Sequence, residues 1–436
     1  MGQKYEDIMK RTEWFRNDRF GMFIHFGLYA IPARGEWVQN RERIEKEKYY
    51  KYFEMFNPID FDARKWVRLA KQAGMKYVVL TAKHHDGFCL FDSKYTDFKS
   101  TNTQFGRDIV KEFLDACREE DMKAGLYYSL LDWNHEDYPK YDDAFHPMSG
   151  NVNFRDEKIN FDNYLKYMFN QIEEIVTNYG KIDIMWFDFS YDEMSGEKWQ
   201  ASKLIEMVRK HQPEIIIDNR LESSGESMGS LIEEEISEYA GDFLNPEQVL
   251  PYKPLTNKKG QFIPWEMCLT MNYNWGYSAN DHSFKTSKRL IRKLVECVSK
   301  GGNMLLNVGP DAKGNIPQES IKILEEIGEW MKYNSESIYN CGIAEFNKPE
   351  WGYFTQSDRY LYAHIFDQPI GPLPLVEIQK EKINWVDLLR DYSELHVSNN
   401  LFVKSYDITF IDLAEDLTSR NKVNDADTVI RIELKK

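Results

Sequence analysis

The stretch Ile182-Asp183-Ile184-Met185-Trp186-Phe187-Asp188 decides how this chain is read. Gly180 and Lys181 precede it, and polar Ser190, Tyr191 and Asp192 follow soon after. A run this short, nearly all apolar and bounded by turn residues, predicts a strand buried on both faces, the kind found in parallel sheets. It ends in a carboxylate, Asp188. Taken alone, an Asp in that place is most simply the cap of the next turn. Other strands of this chain also end in polar groups, and that shifts the balance.

Working outward, residues 20–26, 77–81, 124–128, 215–218 and 303–308 read as further strands, with weaker candidates at 237–243 and 265–270. Helical spacing marks residues 63–74, 109–119, 164–179, 202–210, 290–298 and 321–333. In the first of these Trp66, Val67, Leu69 and Ala70 fall at helical spacing and Gly74 stops the run. About eight strands, mostly alternating with helices, predict parallel pairing through crossover helices. No glycine-rich phosphate-binding turn follows the first strand. The fold class expected is therefore α/β, an irregular (β/α)8 TIM-like barrel rather than an open sheet. The irregular part is expected between the fifth and seventh strands, where helices are poorly marked.

Beyond Cys341 the texture changes. Short aromatic and β-branched runs at residues 360–365, 375–378, 402–409 and 428–434 alternate with Pro, Gly, Asn and Asp. That pattern predicts a C-terminal antiparallel β-sandwich. Residues 388–391 and the acidic run near Glu415 are expected as surface connections. The expected division is a barrel over 1–340 and a sandwich over 341–436.

Composition narrows the partners. With 436 residues the chain can bury a large core. A net charge of −15 argues against nucleic acid or an anionic membrane as the main partner. Eleven Trp and 26 Tyr supply the flat rings on which sugars stack. Five widely spaced cysteines without CxxC spacing predict reduced core thiols rather than disulfides or a zinc site. The N-terminus has no signal-like apolar stretch and no long apolar run follows, so a cytoplasmic location is expected. Oligomeric state is not specified.

In a barrel of this class chemistry sits at the C-terminal ends of the strands. Read in order, those ends supply His25, His84-His85-Asp86, Tyr127, Asp188, Asn219-Arg220, the region from Asp242 to Glu247, Trp275 and Asn307. Any one alone could be a satisfied core residue; so many together point to a functional cluster. Carboxylates, histidines and aromatic rings suit glycoside hydrolysis, which needs one acid and a second carboxylate about an oxocarbenium-like transition state. Two other readings stay open. One is a metal-dependent barrel hydrolase with His25, His84, His85 and Asp188 as ligands. The other is a non-catalytic sugar-binding protein.

The segments Phe20-Gly-Met-Phe-Ile-His-Phe-Gly27, Lys83-His-His-Asp-Gly-Phe88, Gly125-Leu-Tyr-Tyr-Ser129, Trp186-Phe-Asp188 and Asn307-Val-Gly-Pro310 resemble the retaining α-L-fucosidases, glycoside hydrolase family 29. The resemblance runs from about Trp14 to Tyr339. It implies an exo-acting enzyme that removes terminal L-fucose from fucosylated glycans, without a cofactor or metal. Carried over position by position, it implies Asp188 as the nucleophile. His25, Glu36, His84, His85 and Tyr127 would bind the sugar, and Phe23, Trp37 and Trp275 would line the pocket for its methyl group. Arg220 would sit beside the acid/base. For that last role the choice is Glu247, in Asp242-Phe-Leu-Asn-Pro-Glu247; Glu266 is the runner-up, and the run Glu233-Glu234-Glu235 comes third. Two departures stand out. Family members often have Gly after the nucleophile, where this chain has Phe189, so the pocket floor is expected to differ. Residues 221–239 are long, acidic and serine-rich, and are expected to form a lid or a partner-facing loop.

Overall fold

The computed structural model describes residues 3–224, 228–398, 408–413 and 426–435. The first sheet contains β1 (Phe20–Ile24), β2 (Tyr77–Lys83), β3 (Lys123–Ser129), β4 (Ile184–Asp188), β5 (Ile216–Ile217), β6 (Glu266–Thr270) and β7 (Asn303–Val308). All its pairings are parallel, in the order β5-β4-β3-β2-β1-β7-β6. Every residue of β1, β2, β4, β6 and β7 is buried, as two-faced burial in a barrel wall requires.

Alternation sorts the side chains. Phe23, Val79, Tyr127, Ile184, Trp186 and Leu305 pack together inside the barrel. Their neighbours Met22, Val78, Leu80, Met185 and Leu306 join the layer under the helices. Gly21 makes room for an inward ring: a Cβ there would stand 2.2 Å from Tyr77. The helices Ala63–Gln72, Ile109–Glu119, Phe161–Asn178, Ala201–His211, Ser287–Ser299 and Gln318–Asn334 form where the spacing predicts them. Asp62, Asp108 and Thr286 cap three of them by accepting backbone N–H bonds.

The strand expected at residues 237–243 does not form. Between β5 and β6 the chain makes single parallel bridges instead, joining Asp218 to Phe243, Leu244 to Trp265 and Glu247 to Cys268. Two local features break up a regular ladder. Gly241 turns at φ 77° hard against the Asp218 carbonyl, and Pro246 has no N–H to give. Asp242, fully buried, ties this seam down. It accepts from Arg11 at 2.7 Å, from Arg209 at 2.7 Å and from the Ile217 N–H at 2.9 Å. The seam begins where the sequence marks helices poorly.

The remaining strands are β8 (Gly352–Gln356), β9 (Tyr360–Ile365), β10 (Leu373–Leu375), β11 (Ile383–Leu388), β12 (His396–Ser398), β13 (Thr409–Asp412) and β14 (Thr428–Leu434). They form antiparallel sheets ordered β11-β14-β9-β8 and β10-β13-β12. Trp351, Phe354, Leu361, Leu373, Ile411 and Ile430 share one core between the two sheets, which makes the sandwich. Two expectations need correction. The strand expected at 375–378 lies at Leu373–Leu375. Residues 388–391 are not simply a surface connection, because Leu388 ends β11 and both Leu388 and Leu389 are buried. Most of the strand expected at 402–409, and the acidic run near Glu415, lie outside the described residues.

All five cysteines are free and buried. Among the described residues no helix is long and apolar enough to cross a membrane.

Candidate active site

Asp188 is the last residue of β4, paired in register with Ser129 at the end of β3. One carboxylate oxygen accepts from the Tyr127 hydroxyl at 2.7 Å; the other accepts from Arg220 Nη1 at 2.7 Å. Arg220 lies in the short turn Asn219–Leu221 just beyond β5. Its second terminal nitrogen, Nη2, donates to Glu247 Oε2 at 2.9 Å and to Asn245 Oδ1 at 3.1 Å. One guanidinium therefore holds both carboxylates, and its plane rests on the Trp186 ring at 4.4 Å. Burial opposes the Arg220 charge, but Asp188 and Glu247 outweigh it and push its pKa further up.

The histidines are acceptors, and the hydrogen-bond network fixes why. Asn307 Nδ2 donates to the Trp275 carbonyl at 2.7 Å, so its Oδ1 faces His25 Nδ1 at 2.7 Å and must receive a proton from it. Ser129 Oγ gives its only proton to the Leu131 carbonyl, so His85 Nδ1 is the donor in its 2.7 Å bond to that hydroxyl. In both rings Nε2 is left with a lone pair. Burial drives the His25 pKa down to about 3 and holds those of His84 and His85 well below 6.5. His85 Nε2 stands 4.0 Å from Asp188 Oδ2. Two acceptors facing each other call for a donor between them. His84 packs against both His25 and Tyr127, with its Nδ1 buried and unpartnered.

Glu36 is buried and accepts from the backbone N–H groups of Trp275 at 3.1 Å and Gly276 at 2.9 Å, which fixes the loop after β6. Burial raises its pKa. The three rings expected to share one apolar pocket divide. Phe23 and Trp275 flank His25, with centroids 4.4 and 5.1 Å from it. Trp37 stands with His85 at 5.0 Å, Trp133 at 5.3 Å and Phe189 at 5.4 Å.

The candidate acids are widely separated in environment. Glu247 sits at the rim of the seam, where Trp275 Nε1 donates to its Oε1 at 3.2 Å. Its side chain keeps 38% exposure, against 10% for Asp188. Glu266 opens β6 at the opposite end of the barrel from the strand tips, fully buried and bonded to the Tyr77 hydroxyl. Burial pushes its pKa up to about 8. Glu234 and Glu235 are exposed, and Glu233 pairs with Lys258. Glu222 organises the described part of residues 221–239, accepting from Ser230 N, Ser230 Oγ and Ser237 Oγ at 2.7–2.9 Å.

Two other strand-end acids serve the framework: Asp86 accepts from Tyr49 and from the Phe88 N–H, and Asp218 from the Phe187 N–H. Sequence reasoning gave no role to Asn245, Ser129 or Trp133. Only Asn307 among the orienting groups had shown a signal, as a polar strand end. Among the described residues no three His, Cys, Asp or Glu side chains are grouped to hold a metal ion.

Two carboxyls on one arginine at the strand tips, ringed by imidazole acceptors and indoles, define a barrel enzyme furnished for glycosidic-bond chemistry. Comparison with known proteins gives the family. Residues 2–336 match the model described as alpha-L-fucosidase. The chain is 50% identical to alpha-L-fucosidase isoenzyme 1 from Paenibacillus thiaminolyticus, with 99% of this chain and 100% of that one covered and a TM-score of 0.93. It is 30% identical over 430 residues to the plasma alpha-L-fucosidase of Pongo abelii, covering 88% of this chain and 86% of that protein. A GH29 alpha-L-fucosidase from Bacteroides thetaiotaomicron, trapped as a covalent intermediate with 2-fluoro-fucosyl fluoride, is 28% identical, with a TM-score of 0.82 over 100% of this chain and 98% of that one. The chain belongs to the alpha-L-fucosidase family, glycoside hydrolase family 29.

Proposed function

We propose that the protein is a retaining exo-α-L-fucosidase that releases terminal L-fucose from fucosylated glycans, with Asp188 as nucleophile and Glu247 as acid and base. The observation that supports this reading most directly is the shared guanidinium: Arg220 gathers a buried strand-tip carboxylate and a more exposed carboxyl about one place. In the first step Asp188 attacks the anomeric carbon and the glycosidic bond breaks. Glu247 gives its proton to the departing oxygen. In the second, Glu247 takes a proton from water, whose oxygen displaces Asp188 from the sugar. Two inversions give net retention.

The unprotonated Nε2 atoms of His25 and His85 suit a ligand that presents hydroxyl donors. Phe23 and Trp275 suit the methyl group of a 6-deoxy sugar, and Trp37 lies on the other side, against His85. The separate core of the sandwich supports a division near residue 340.

Asp188→Gly is the test. Hydrolysis of an aryl α-L-fucoside should vanish without loss of fold, and azide should restore release of the phenol while forming a fucosyl azide of inverted configuration. Undiminished turnover would remove Asp188 from the role.

A further inference from the structure

Both proposed catalytic carboxyls are followed by a residue in the left-handed region of backbone space. Phe189, next after Asp188, has φ 87°, and Gln248, next after Glu247, has φ 57°. Neither is glycine, which would take such an angle freely. Strained backbone of this kind persists only where the surroundings hold it, and both side chains are held.

The Phe189 ring is packed by Trp37 at 5.4 Å, His85 at 5.0 Å, Phe145 at 4.8 Å and Tyr191 at 5.6 Å. That wall is itself fixed, since Asp143 accepts from the Tyr138 and Tyr191 hydroxyls and from the Phe145 N–H. Gln248 is anchored to β6 by three bonds. Its N–H donates to the Cys268 carbonyl at 2.9 Å, its Nε2 to Thr270 Oγ1 at 2.9 Å, and its Oε1 accepts from the Thr270 N–H at 3.5 Å. In each case the chain leaves the carboxyl through one left-handed residue, a local backbone twist whose side chain is clamped.

We infer that Phe189 and Gln248 are positioning residues, one for each carboxyl: the clamped side chain holds the left-handed twist, and the twist aims the acid before it. The inference rests on the fucosidase reading above and extends it to two residues that touch no reacting atom. Glycine at either position keeps the left-handed angle accessible while removing the side-chain clamp, so it isolates the clamp.

The test uses the whole protein and a series of aryl α-L-fucosides whose phenols differ in acidity. Phe189→Gly should slow formation of the fucosyl-enzyme by about tenfold or more for every leaving group, because nucleophilic attack is common to all. KM should change less than kcat, and Phe189→Tyr, which keeps the ring, should restore the rate. Gln248→Gly should behave differently. Its loss should be small for 2,4-dinitrophenyl fucoside, whose departure needs little proton assistance, and should grow as the phenol becomes less acidic.

If Phe189→Gly does not fold, Phe189→Leu, which keeps bulk without the flat ring, gives the same measurement. Glycine variants with the wild-type rate, losses that only follow the folded fraction, or a Gln248→Gly loss that is alike for every phenol would overturn the inference. A wild-type protein inert toward every fucoside would instead sink the fucosidase reading itself.

Discussion

Replacing Glu266 by Gln separates the two glutamates that compete for the acid/base role. Glu266 is fully buried, bonded to the Tyr77 hydroxyl and 3.4 Å from Asn245 Nδ2, and burial lifts its pKa from 4.5 to about 8. Between those values the folded protein holds a proton that the unfolded chain has lost. Stability contributed by this group is therefore intact below pH 4.5 and erodes as pH rises toward 8. The rate is about 1.4 kcal/mol per pH unit, or about 5 kcal/mol over the whole window. Glutamine has no such proton to lose. Urea unfolding of the two proteins should thus give similar stabilities at pH 5 and a widening advantage for Glu266→Gln up to pH 8.

The same variant should keep most of its aryl-fucosidase turnover at neutral pH, because a neutral carboxyl has been exchanged for a neutral amide. Glu247→Gln should lose about 10²–10⁴-fold on substrates with poor leaving groups. A stability difference that ignores pH would mean that Glu266 is ionised in the barrel. An inactive Glu266→Gln beside an active Glu247→Gln would reverse the assignment.

Lys83 and Asp132 form an ion pair at 3.0 Å with side chains 0% and 1% exposed, the ammonium lying among the Tyr128, Tyr164 and Tyr167 rings. Lys83→Met should cost about 3–5 kcal/mol in urea unfolding by stranding a buried charge, and adding Asp132→Asn should recover part of it; two additive losses would contradict the pairing. His25 is buried neutral, with its pKa lowered to about 3, so the unfolded chain takes up the extra proton in acid. Its contribution is complete above pH 6.5 and is lost as pH falls toward 3. Wild type should therefore weaken relative to His25→Gln by about 1.4 kcal/mol per pH unit in that window, and parallel stability curves would show that the ring ionises in place.

Much of the barrel was legible because its strands are buried on both faces and so read as unbroken apolar runs, 182–188 above all. The expected helices formed for a related reason, a one-sided apolar stripe, closed by a side-chain cap in three of the six. What escaped had no such pattern. The seam between β5 and β6 is made of single bridges, and no periodicity announces one. β8 and β11 were missed because strands of a small sandwich do not alternate cleanly; β11 exposes Asn384 and Trp385 in succession.

In the site, residue types at strand ends located Asp188, Tyr127 and the histidines. Their chemistry depends on neighbours that sequence cannot pair, such as Ser129 and Asn307, which decide where each imidazole keeps its proton. Phe189 was visible as a departure from glycine, yet only the folded chain reveals its left-handed backbone and the wall of rings around it. Likewise Trp37 carries the right residue type, but its company is His85 and Trp133 rather than Phe23.

The bridged seam has a consequence for how such an enzyme can vary. Asp188, the proposed nucleophile, the Tyr127 phenol and the imidazoles stand on a continuous hydrogen-bonded arc, where moving one strand moves the next. Glu247, the proposed proton donor, stands on a gusset sewn to that arc at three points. Exchanging the gusset for another length of chain that keeps Asn245 and Glu247 for Arg220 would alter which alcohols can depart while leaving the machinery of attack undisturbed, so the seam is where an engineer should begin.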